Sequence, residues 1–326
     1  MMHVGVLLAP RQLHIPDGFL SVPVAVAGWV LTVLVVALAL RKTRDQLGER
    51  QVPLMGVLAA AVFAGQMLNF TIPGGTSGHL LGGALVAVIL GPWAAVLVMT
   101  AVVAIQALLF QDGGLLVLGF NIINMGVLTA FTGYFVYGFL KATSGDNRRS
   151  LFVAGFVGGW LSVMVGAIAT AVELAVSGTS PLGIALPAMA GVHALIGVGE
   201  GLLTVFALSF ITTTRPDLVV GEAAPGKASA RWVWIGLVVA LALTLLAPLA
   251  SPYADGLESV AERTGFLDAG LDAPYQILPD YTVPFLGETG LSTIVAGMIG
   301  TLVVFLVGWL VARVVRSRRA AASSSG

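Results

Sequence analysis

The sequence predicts an all-α fold, a polytopic membrane helix bundle followed by a two-helix C-terminal membrane module. Hydrophobic residues make up 57% of the 326 residues and charged residues only 10%. A soluble domain has about 45–50% apolar and about 25% charged residues. The mean hydropathy is +0.97. Because only lipid accommodates so much apolar surface, we expect an integral protein of the plasma membrane.

Long apolar runs supply the predicted spans, at residues 21–40, 53–71, 79–110, 117–140, 151–177, 183–212, 232–250 and 289–312. Most of these runs reach the roughly 20 residues that a helix needs to cross a bilayer. Run 79–110 contains Gly91-Pro92, and because proline interrupts helical hydrogen bonding we expect two helical legs, 79–90 and 92–110. The spacings Gly155/Gly159 and Gly297/Gly300 predict closely packed helices.

The basic residues between the runs predict the orientation. They form clusters at Arg41, Lys42, Arg44 and Arg50, at Lys141, Arg148 and Arg149, at Arg215, Lys227 and Arg231, and at Arg313, Arg316, Arg318 and Arg319. The positive-inside rule places all of these clusters in the cytoplasm. The N-terminus and the loops 72–78, 111–116, 178–182 and 251–288 are then external, and the C-terminus is cytoplasmic.

A change in composition after residue 213 divides the chain into two modules. Residues 14–213 form the main bundle, 214–231 a polar cytoplasmic linker, and 232–315 a module with the acidic external loop 251–288. We expect residues 316–326 to be a disordered tail. The net charge is zero, so no nucleic-acid partner is expected.

Polar residues at membrane depth are costly, which makes them candidates for function. They concentrate in LHIPDGFL (13–20), NFTIPGGTSGHLLGG (69–83) and QALLFQDGGLLVLGFNIINMG (106–126), all predicted on one side. His14 and His79 are the imidazoles available there. Since the chain contains no cysteine, any metal must be held by nitrogen or oxygen ligands. For either histidine alone, an interfacial polar side chain is the ordinary explanation.

Other buried polar residues leave alternatives open. His193 and Glu200 share a helix face and form either a functional pair or simple interhelical hydrogen bonds. Glu173 is more readily explained as a structural contact than as a relay. Asn121 and Asn124 either line a pocket or bond a neighbouring helix.

Enzyme motifs are absent from the sequence. It contains no H-E-x-x-H, no G-x-S-x-G and no Walker G-x-x-x-x-G-K-[ST] pattern. We therefore predict a protein that is not an enzyme, with no catalytic residues, no cofactor of its own and no ability to hydrolyse ATP by itself.

Five motifs together resemble the CbiM/NikM substrate-specific (S) component of energy-coupling-factor transporters for cobalt and nickel. They are HIPDGFL (14–20), TSGHLLGG (76–83), LGPWAA (90–95), QALLFQDGGLLVLGFNIINMG (106–126) and HALIGVGEGLLT (193–204). The C-terminal module is similar to CbiN/NikN through ADGLESVAER (254–263), LPDYTVPFL (278–286) and LSTIVAGMIGTLVVF (291–305). The resemblance implies a fused protein that captures Co(II) or Ni(II).

The resemblance also implies a metal site at the extreme N-terminus. Its ligands are the amine of an initiator Met, the amide nitrogen and imidazole of the next residue, and the imidazole of the TSGH loop. Carried over, these are residue 13, His14 and His79. Position 13 is Leu13 here and twelve residues precede it. The hypothesis is that residues 1–13 hold an extension and that Leu13 is the true start, read as Met.

Four nitrogen ligands of this kind suit square-planar Ni(II) or Co(II) and disfavour tetrahedral Zn(II). Residues expected to orient the ligands are Asn69, Ser77, Gln106 and Asn124. The family implies a transmembrane coupling (T) subunit like CbiQ/NikQ and cytoplasmic ATPases like CbiO/NikO as partners.

Three other functions stay open for this sequence. A vitamin-binding S component would need a larger cavity lined by aromatic side chains. An intramembrane metal-dependent enzyme would use His193 and Glu200. A passive channel would conduct without ATP.

Overall fold

The computed structural model describes residues 14–44, 47–49, 51–215 and 230–323. Leu13 and the rest of residues 1–13 lie outside this range. The helices are α1 (Val22–Arg44), α2 (Gln51–Gln66), α3 (Gly83–Leu90), α4 (Pro92–Ile105), α5 (Leu118–Ile122), α6 (Thr129–Ser144), α7 (Arg148–Ser177), α8 (Leu182–Thr214), α9 (Ala230–Thr244), α10 (Gly256–Thr264) and α11 (Gly290–Ser323).

The predicted all-α membrane fold is confirmed. Within the described residues, seven helical stretches are long and apolar enough to cross a bilayer: Val22–Arg44, Pro92–Phe110, Leu118–Ser144, Arg148–Ser177, Leu182–Thr214, Arg231–Leu249 and Gly290–Ser317. Two of these stretches join neighbouring elements through π-helical turns, Gln106–Phe110 after α4 and Ile123–Leu128 between α5 and α6.

The turn between α3 and α4 forms where the sequence predicts it. Gly91 has a φ of 81°, a conformation that glycine adopts without a steric penalty. Pro92 begins α4, where its missing N–H would have no helical partner in any case. The first leg is shorter than expected, because α3 begins only at Gly83 and residues 79–82 have no regular secondary structure.

Run 53–71 differs from the predicted span. Helix α2 ends at Gln66, and the chain then forms an antiparallel hairpin of β1 (Phe70–Ile72) and β2 (Thr76–Gly78). β-Branched and aromatic residues favour the strands, and the glycines of Pro73-Gly74-Gly75 have the positive φ angles that the tight turn requires. The run therefore supplies a 16-residue helix and one arm of a hairpin.

Small residues allow close helix contacts, as their spacing predicts. A Cβ added at Gly159 would lie 3.2 Å from the Cα of Gly201, so α7 and α8 approach backbone to backbone. A Cβ at Gly300 would lie 2.2 Å from the ring of Phe63, so α11 packs tightly on α2. The C-terminal module thus packs directly against the main bundle.

The C-terminal module contains more regular structure than a simple loop and tail. Helix α10 lies inside loop 251–288 and is capped by Asp255, whose carboxylate accepts a hydrogen bond from the Glu258 N–H at 2.6 Å. Helix α11 continues to Ser323, through most of the segment 316–326 expected to be disordered. Alanine and arginine are strong helix formers, which accounts for the extension.

One end of the bundle, here called the site end, is formed by residues 14–20, the β1–β2 hairpin, residues 111–117 and loop 251–288. Backbone hydrogen bonds join these segments. The Leu271 N–H donates to the Asp17 carbonyl at 2.7 Å, and the Gly114 N–H donates to the Ile15 carbonyl at 2.9 Å. The three polar segments singled out in the sequence therefore converge at one place.

Candidate metal site

His14 and His79 meet at the site end, although 64 residues of chain separate them. Their ring centroids lie 5.8 Å apart, with the ring planes at 78°. The exposed fractions of the two residues are 3% and 7%. Two imidazoles of distant segments thus share one buried space.

The segment that carries His14 is held by Asn121 at the start of the third spanning stretch. Its Nδ2 donates to the Ile15 carbonyl at 3.0 Å, and its Oδ1 accepts from the Ile15 N–H at 3.1 Å. The amide therefore pairs with both backbone groups of one residue. Of the two roles left open for Asn121, it lines the cavity described below, whereas its described hydrogen bonds go to the non-helical segment before α1 and not to a neighbouring helix.

Asp17 anchors the same segment at a helix N-terminus. Its carboxylate accepts from the N–H groups of Leu115, Leu116 and Val117 at 3.1, 2.9 and 3.2 Å. These N–H groups precede α5 and have no intrahelical partner, which makes a carboxylate there favourable. The Pro-Asp-Gly of the HIPDGFL motif thus has a structural role beside His14.

Glu200 of α8 holds the turn after His79. Its two carboxylate oxygens accept from the Leu81 N–H at 2.6 Å and the Gly82 N–H at 3.0 Å. The His79 Nδ1 lies 2.9 Å from the Leu80 carbonyl. The described contacts of Glu200 therefore go to backbone N–H groups.

The ring nitrogens of His14 have different surroundings. Nδ1 lies 3.0 Å from the carbonyl oxygen of Asp112 and 3.4 Å from its carboxylate. Nε2 is buried and has no hydrogen-bond partner among the described residues. An imidazole that donates from Nδ1 presents its Nε2 lone pair to a ligand.

A cavity of about 90 Å³ lies between these residues. Its polar lining comes from His14, His79, Asn121, Asn124, Thr170, His193 and Asp255. No Phe, Tyr or Trp is among the residues that line it. Among the described residues, no group of three or more His, Cys, Asp or Glu side chains is arranged to hold a metal ion. A metal bound by His14 and His79 would therefore need further ligands of another kind.

The C-terminal module forms one wall of this cavity. The Ala254 carbonyl accepts from the Ser77 N–H at 2.8 Å and from the Thr76 hydroxyl at 2.9 Å. Asp255 and the two residues after it line the cavity. Burial raises the pKa of the Asp255 carboxyl well above its ordinary range.

The four residues expected to orient the ligands have other hydrogen-bond partners in the structure. The Ser77 hydroxyl donates to the Tyr253 carbonyl, and Gln106 bonds Gln66 and Tyr281. Asn124 donates to Thr170 and Glu173. The backbone carbonyl of Asn69 accepts from the Ser251 N–H, and its side-chain Oδ1 has no hydrogen-bond partner among the described residues. Among the described contacts, none of these four side chains bonds either imidazole.

The remaining polar residues, His193, Glu200 and Glu173, have separate hydrogen-bond partners. The His193 Nδ1 bonds the Met189 carbonyl of its own helix at 2.8 Å, whereas Glu200 bonds the backbone after His79. The two residues therefore serve separate contacts. Glu173 accepts from Asn124 at 2.9 Å, a structural contact as expected.

Three residues near the site were not singled out in the sequence: Asp112, Asp255 and Tyr281. Each lies inside a quoted motif, Asp112 in QALLFQDGG, Asp255 in ADGLE and Tyr281 in LPDYTVPFL. An acidic residue next to two glycines in a polar segment was the available signal for Asp112. Tyr281 and Asp255 lie more than 140 positions after Asp112 along the chain, so only the packing shows that they are near the site.

Two family models match successive stretches of the chain. Residues 14–218 match the model of the CbiM family, described as the cobalt uptake substrate-specific transmembrane region, and residues 230–317 match the PDGLE domain. A putative fused nickel transport protein NikMN of Archaeoglobus fulgidus is 37% identical, over 94% of this chain and 100% of that protein.

A cobalt transport protein CbiM of Sorangium cellulosum is 36% identical, over 66% of this chain and 99% of that protein. Among solved structures, a truncated transition metal transporter is 33% identical and superposes with a TM-score of 0.56, over 62% of this chain and 99% of that one.

Proposed function

Because the chain belongs to the CbiM family of cobalt-uptake substrate-specific transmembrane regions and carries a PDGLE domain after it, we propose that it captures Co(II) or Ni(II) for an ATP-driven uptake transporter. The family and the fold together show the general role of the chain. The chain is a multi-pass membrane component of nickel or cobalt transport.

The observation that carries the proposal is the buried meeting of His14 and His79. Metal–nitrogen bonds to imidazole are about 2 Å long, so two rings with centroids 5.8 Å apart can share one ion.

The other ligands belong to the predicted start of the chain. In this proposal the amine of residue 13, with Leu13 read as Met, and the amide nitrogen of His14 complete a four-nitrogen set. Only Nδ1 can close a chelate ring with the amide of the same residue, so this mode requires His14 to rotate away from Asp112. Mass spectrometry of the mature protein tests the start, and a chain that begins at Met1 would contradict this ligand set.

The type and arrangement of the proposed nitrogen ligands favour particular divalent ions. Nitrogen donors suit Ni(II) and Co(II), and a planar arrangement disfavours Zn(II). Deprotonation of the ligands accompanies binding, so affinity should fall at low pH.

The proposed setting is the outer face of the plasma membrane. The ion is bound at the site end, and a CbiQ/NikQ-like coupling subunit with CbiO/NikO-like ATPases drives its release inside. The C-terminal module contributes a wall of the site and so takes part in capture.

The competing functions receive less support. A cavity of about 90 Å³ without Phe, Tyr or Trp in its lining is small for a vitamin. Both oxygens of Glu200 accept backbone hydrogen bonds, which leaves it poorly placed as an acid–base partner of His193. No described contact specifically favours a passive channel.

Isothermal titration of the full chain with Ni(II) and Co(II) tests the proposal, using protein with its natively processed N-terminus. His79→Ala should weaken binding by more than about 100-fold, beyond the loss usual for an outer-shell residue. Thr71→Ala is the control and should keep the affinity, because Thr71 lies on the neighbouring β-hairpin, where its hydroxyl donates to the Ser251 Oγ at 2.9 Å, and does not line the cavity. Unchanged binding by His79→Ala would contradict the proposal.

A further inference from the structure

The cavity that holds the His14 and His79 imidazoles has a single acidic side chain in its described lining, Asp255 of the C-terminal module. Its exposed fraction is 6%. No Lys or Arg is among the described residues that line the cavity. The neighbouring Asp112 carboxylate accepts from the Tyr281 hydroxyl at 2.7 Å and does not line the cavity. The charge at the cavity wall is therefore supplied by the second module.

The backbone around Asp255 is fixed on two sides. Its carbonyl accepts from the Thr76 hydroxyl at 3.1 Å, three residues before His79. On the other side, a Cβ added at Gly256 would lie 2.9 Å from the Nε2 of His193, so this backbone lies directly against α8. The acidic side chain is thus held in place between the β1–β2 hairpin and a helix of the main bundle.

Capping of α10 does not account for the charge of Asp255. Its Oδ1 accepts from the Glu258 N–H at 2.6 Å. Asparagine and serine cap helices about as well as aspartate does, so a neutral side chain meets this need. No described Lys or Arg forms an ion pair with Asp255. A carboxylate buried without a cation is costly, which indicates that something else offsets its charge.

The proposed ligand set leaves a complementary charge in the same cavity. The terminal amine and the two imidazoles are neutral ligands, and only the amide nitrogen of His14 carries a negative charge in the complex. A bound dication therefore keeps a net positive charge, which is costly in a buried site unless an anion lies near it. Burial raises the pKa of the Asp255 carboxyl, whereas an adjacent cation favours its charged form.

We propose that the Asp255 carboxylate neutralises the charge of the bound divalent ion from the wall that the C-terminal module contributes. The inference rests on the proposed function and deepens it, because it gives the second module a charge-specific part in capture. The carboxylate stands outside the nitrogen set and acts through its charge. Because the site is buried, salt screens this attraction much less than it screens exposed charges.

Asp255→Asn tests the inference, because it removes the charge, keeps the shape of the side chain and still caps α10. In titration calorimetry of the full chain with its natively processed N-terminus, Ni(II) affinity should fall about 10- to 100-fold. The loss should persist at raised ionic strength. Before Ni(II) is added, the melting temperature in detergent should be unchanged or higher, since a lone buried carboxylate is removed. Asp255→Ser, a second neutral cap, should lose affinity in the same way.

Glu262→Gln is the matched control. Glu262 lies on the same helix, is exposed and does not line the cavity, so the same loss of charge should leave Ni(II) affinity unchanged. An equal loss of affinity in Glu262→Gln and Asp255→Asn would show a general effect of the acidic loop and overturn the assignment to Asp255.

The remaining outcomes separate the inference from the proposed function. Wild-type affinity in either neutral variant of Asp255 would overturn the inference and leave the proposed function intact. A loss of affinity accompanied by a fall in melting temperature in both variants would assign the residue to the fold alone and would also overturn it. A wild-type chain that binds neither ion would overturn the proposed function itself.

Discussion

At the scale of single residues, Asn121 shows how one amide can place a binding segment. It pairs with both backbone groups of Ile15, directly after His14. An amide of this kind replaces the partner strand or helix that an extended segment would otherwise need. The position of His14 therefore depends on a residue more than a hundred positions away.

We expect Asn121→Ala to weaken Ni(II) binding by about tenfold or more, because the buried backbone groups of Ile15 lose their partners and the His14 segment is freed. Titration calorimetry measures the loss. Asn147→Ala is the control, since the described side-chain contacts of Asn147 stay within the α6–α7 turn, where it accepts from the Ser150 N–H and donates to the Ser144 and Gly145 carbonyls. That variant should lower stability by about 1 kcal/mol and leave affinity unchanged. Equal affinities for wild type and Asn121→Ala would refute this role.

The residue types predicted some of the side chains of the site but not the residues that they contact. His14, His79 and Asn124 could be singled out because polar side chains are rare in so apolar a chain. The contacts around them could not be predicted, because Asp112 and Glu200 approach from other elements, although Glu200 itself was singled out beside His193. The side-chain partner of Ser77 and one of the two partners of Gln106 likewise come from the C-terminal module, which nothing local to those residues indicates.

At the scale of elements, the contact between α11 and α2 decides how the two modules fit together. Gly300 faces Phe63, and a Cβ there would also lie 2.7 Å from the ring of Phe110. Phe110 is the residue on which Tyr281 stacks. Helix packing and the arrangement of the site are therefore linked through one aromatic ring.

Gly300→Ala should destabilise the protein by about 1–3 kcal/mol, because the added methyl group overpacks a closed interface. Thermal unfolding in detergent, followed by circular dichroism, measures this. Gly138→Ala is the control, because no atom lies within 4 Å of a Cβ added there. We expect that variant to melt at the same temperature or higher. A Gly300→Ala protein as stable as the wild type would mean that the two helices are not closely packed in solution.

The predictions for elements were most accurate where one signal dominated. Hydropathy and length located the long spans, and Gly91-Pro92 located the turn between α3 and α4. Run 53–71 failed as a single span because its apolar β-branched end could equally form a strand. Helix or strand was decided there by the Pro-Gly-Gly turn and by packing against Ser251, Tyr253 and Ala254.

At the scale of the whole molecule, the distribution of basic residues predicts that the site end faces outward. Because the chain contains no cysteine, single cysteines can report on this orientation without background. Phe285 lies in loop 251–288 and has an exposed fraction of 86%. Ser144 is exposed at the end of α6, beside a basic cluster.

In intact cells, a membrane-impermeant maleimide should label Phe285→Cys and should label Ser144→Cys only after permeabilisation. Gel mobility or mass spectrometry of the labelled chain checks this. The wild-type chain should not react in either case. The reverse pattern would place the metal site on the cytoplasmic side and contradict capture from outside.

By itself, the sequence determined the membrane character, most of the spans, the exclusion of thiolate ligands and the two imidazoles, because composition and hydropathy act locally along the chain. Only the tertiary structure decided that His14 and His79 share a buried space and that the C-terminal module closes one side of it. The physical reason is that hydrogen bonds such as Tyr281 to Asp112 join residues 169 positions apart. Such contacts form only when the helices pack, and no local pattern encodes their geometry.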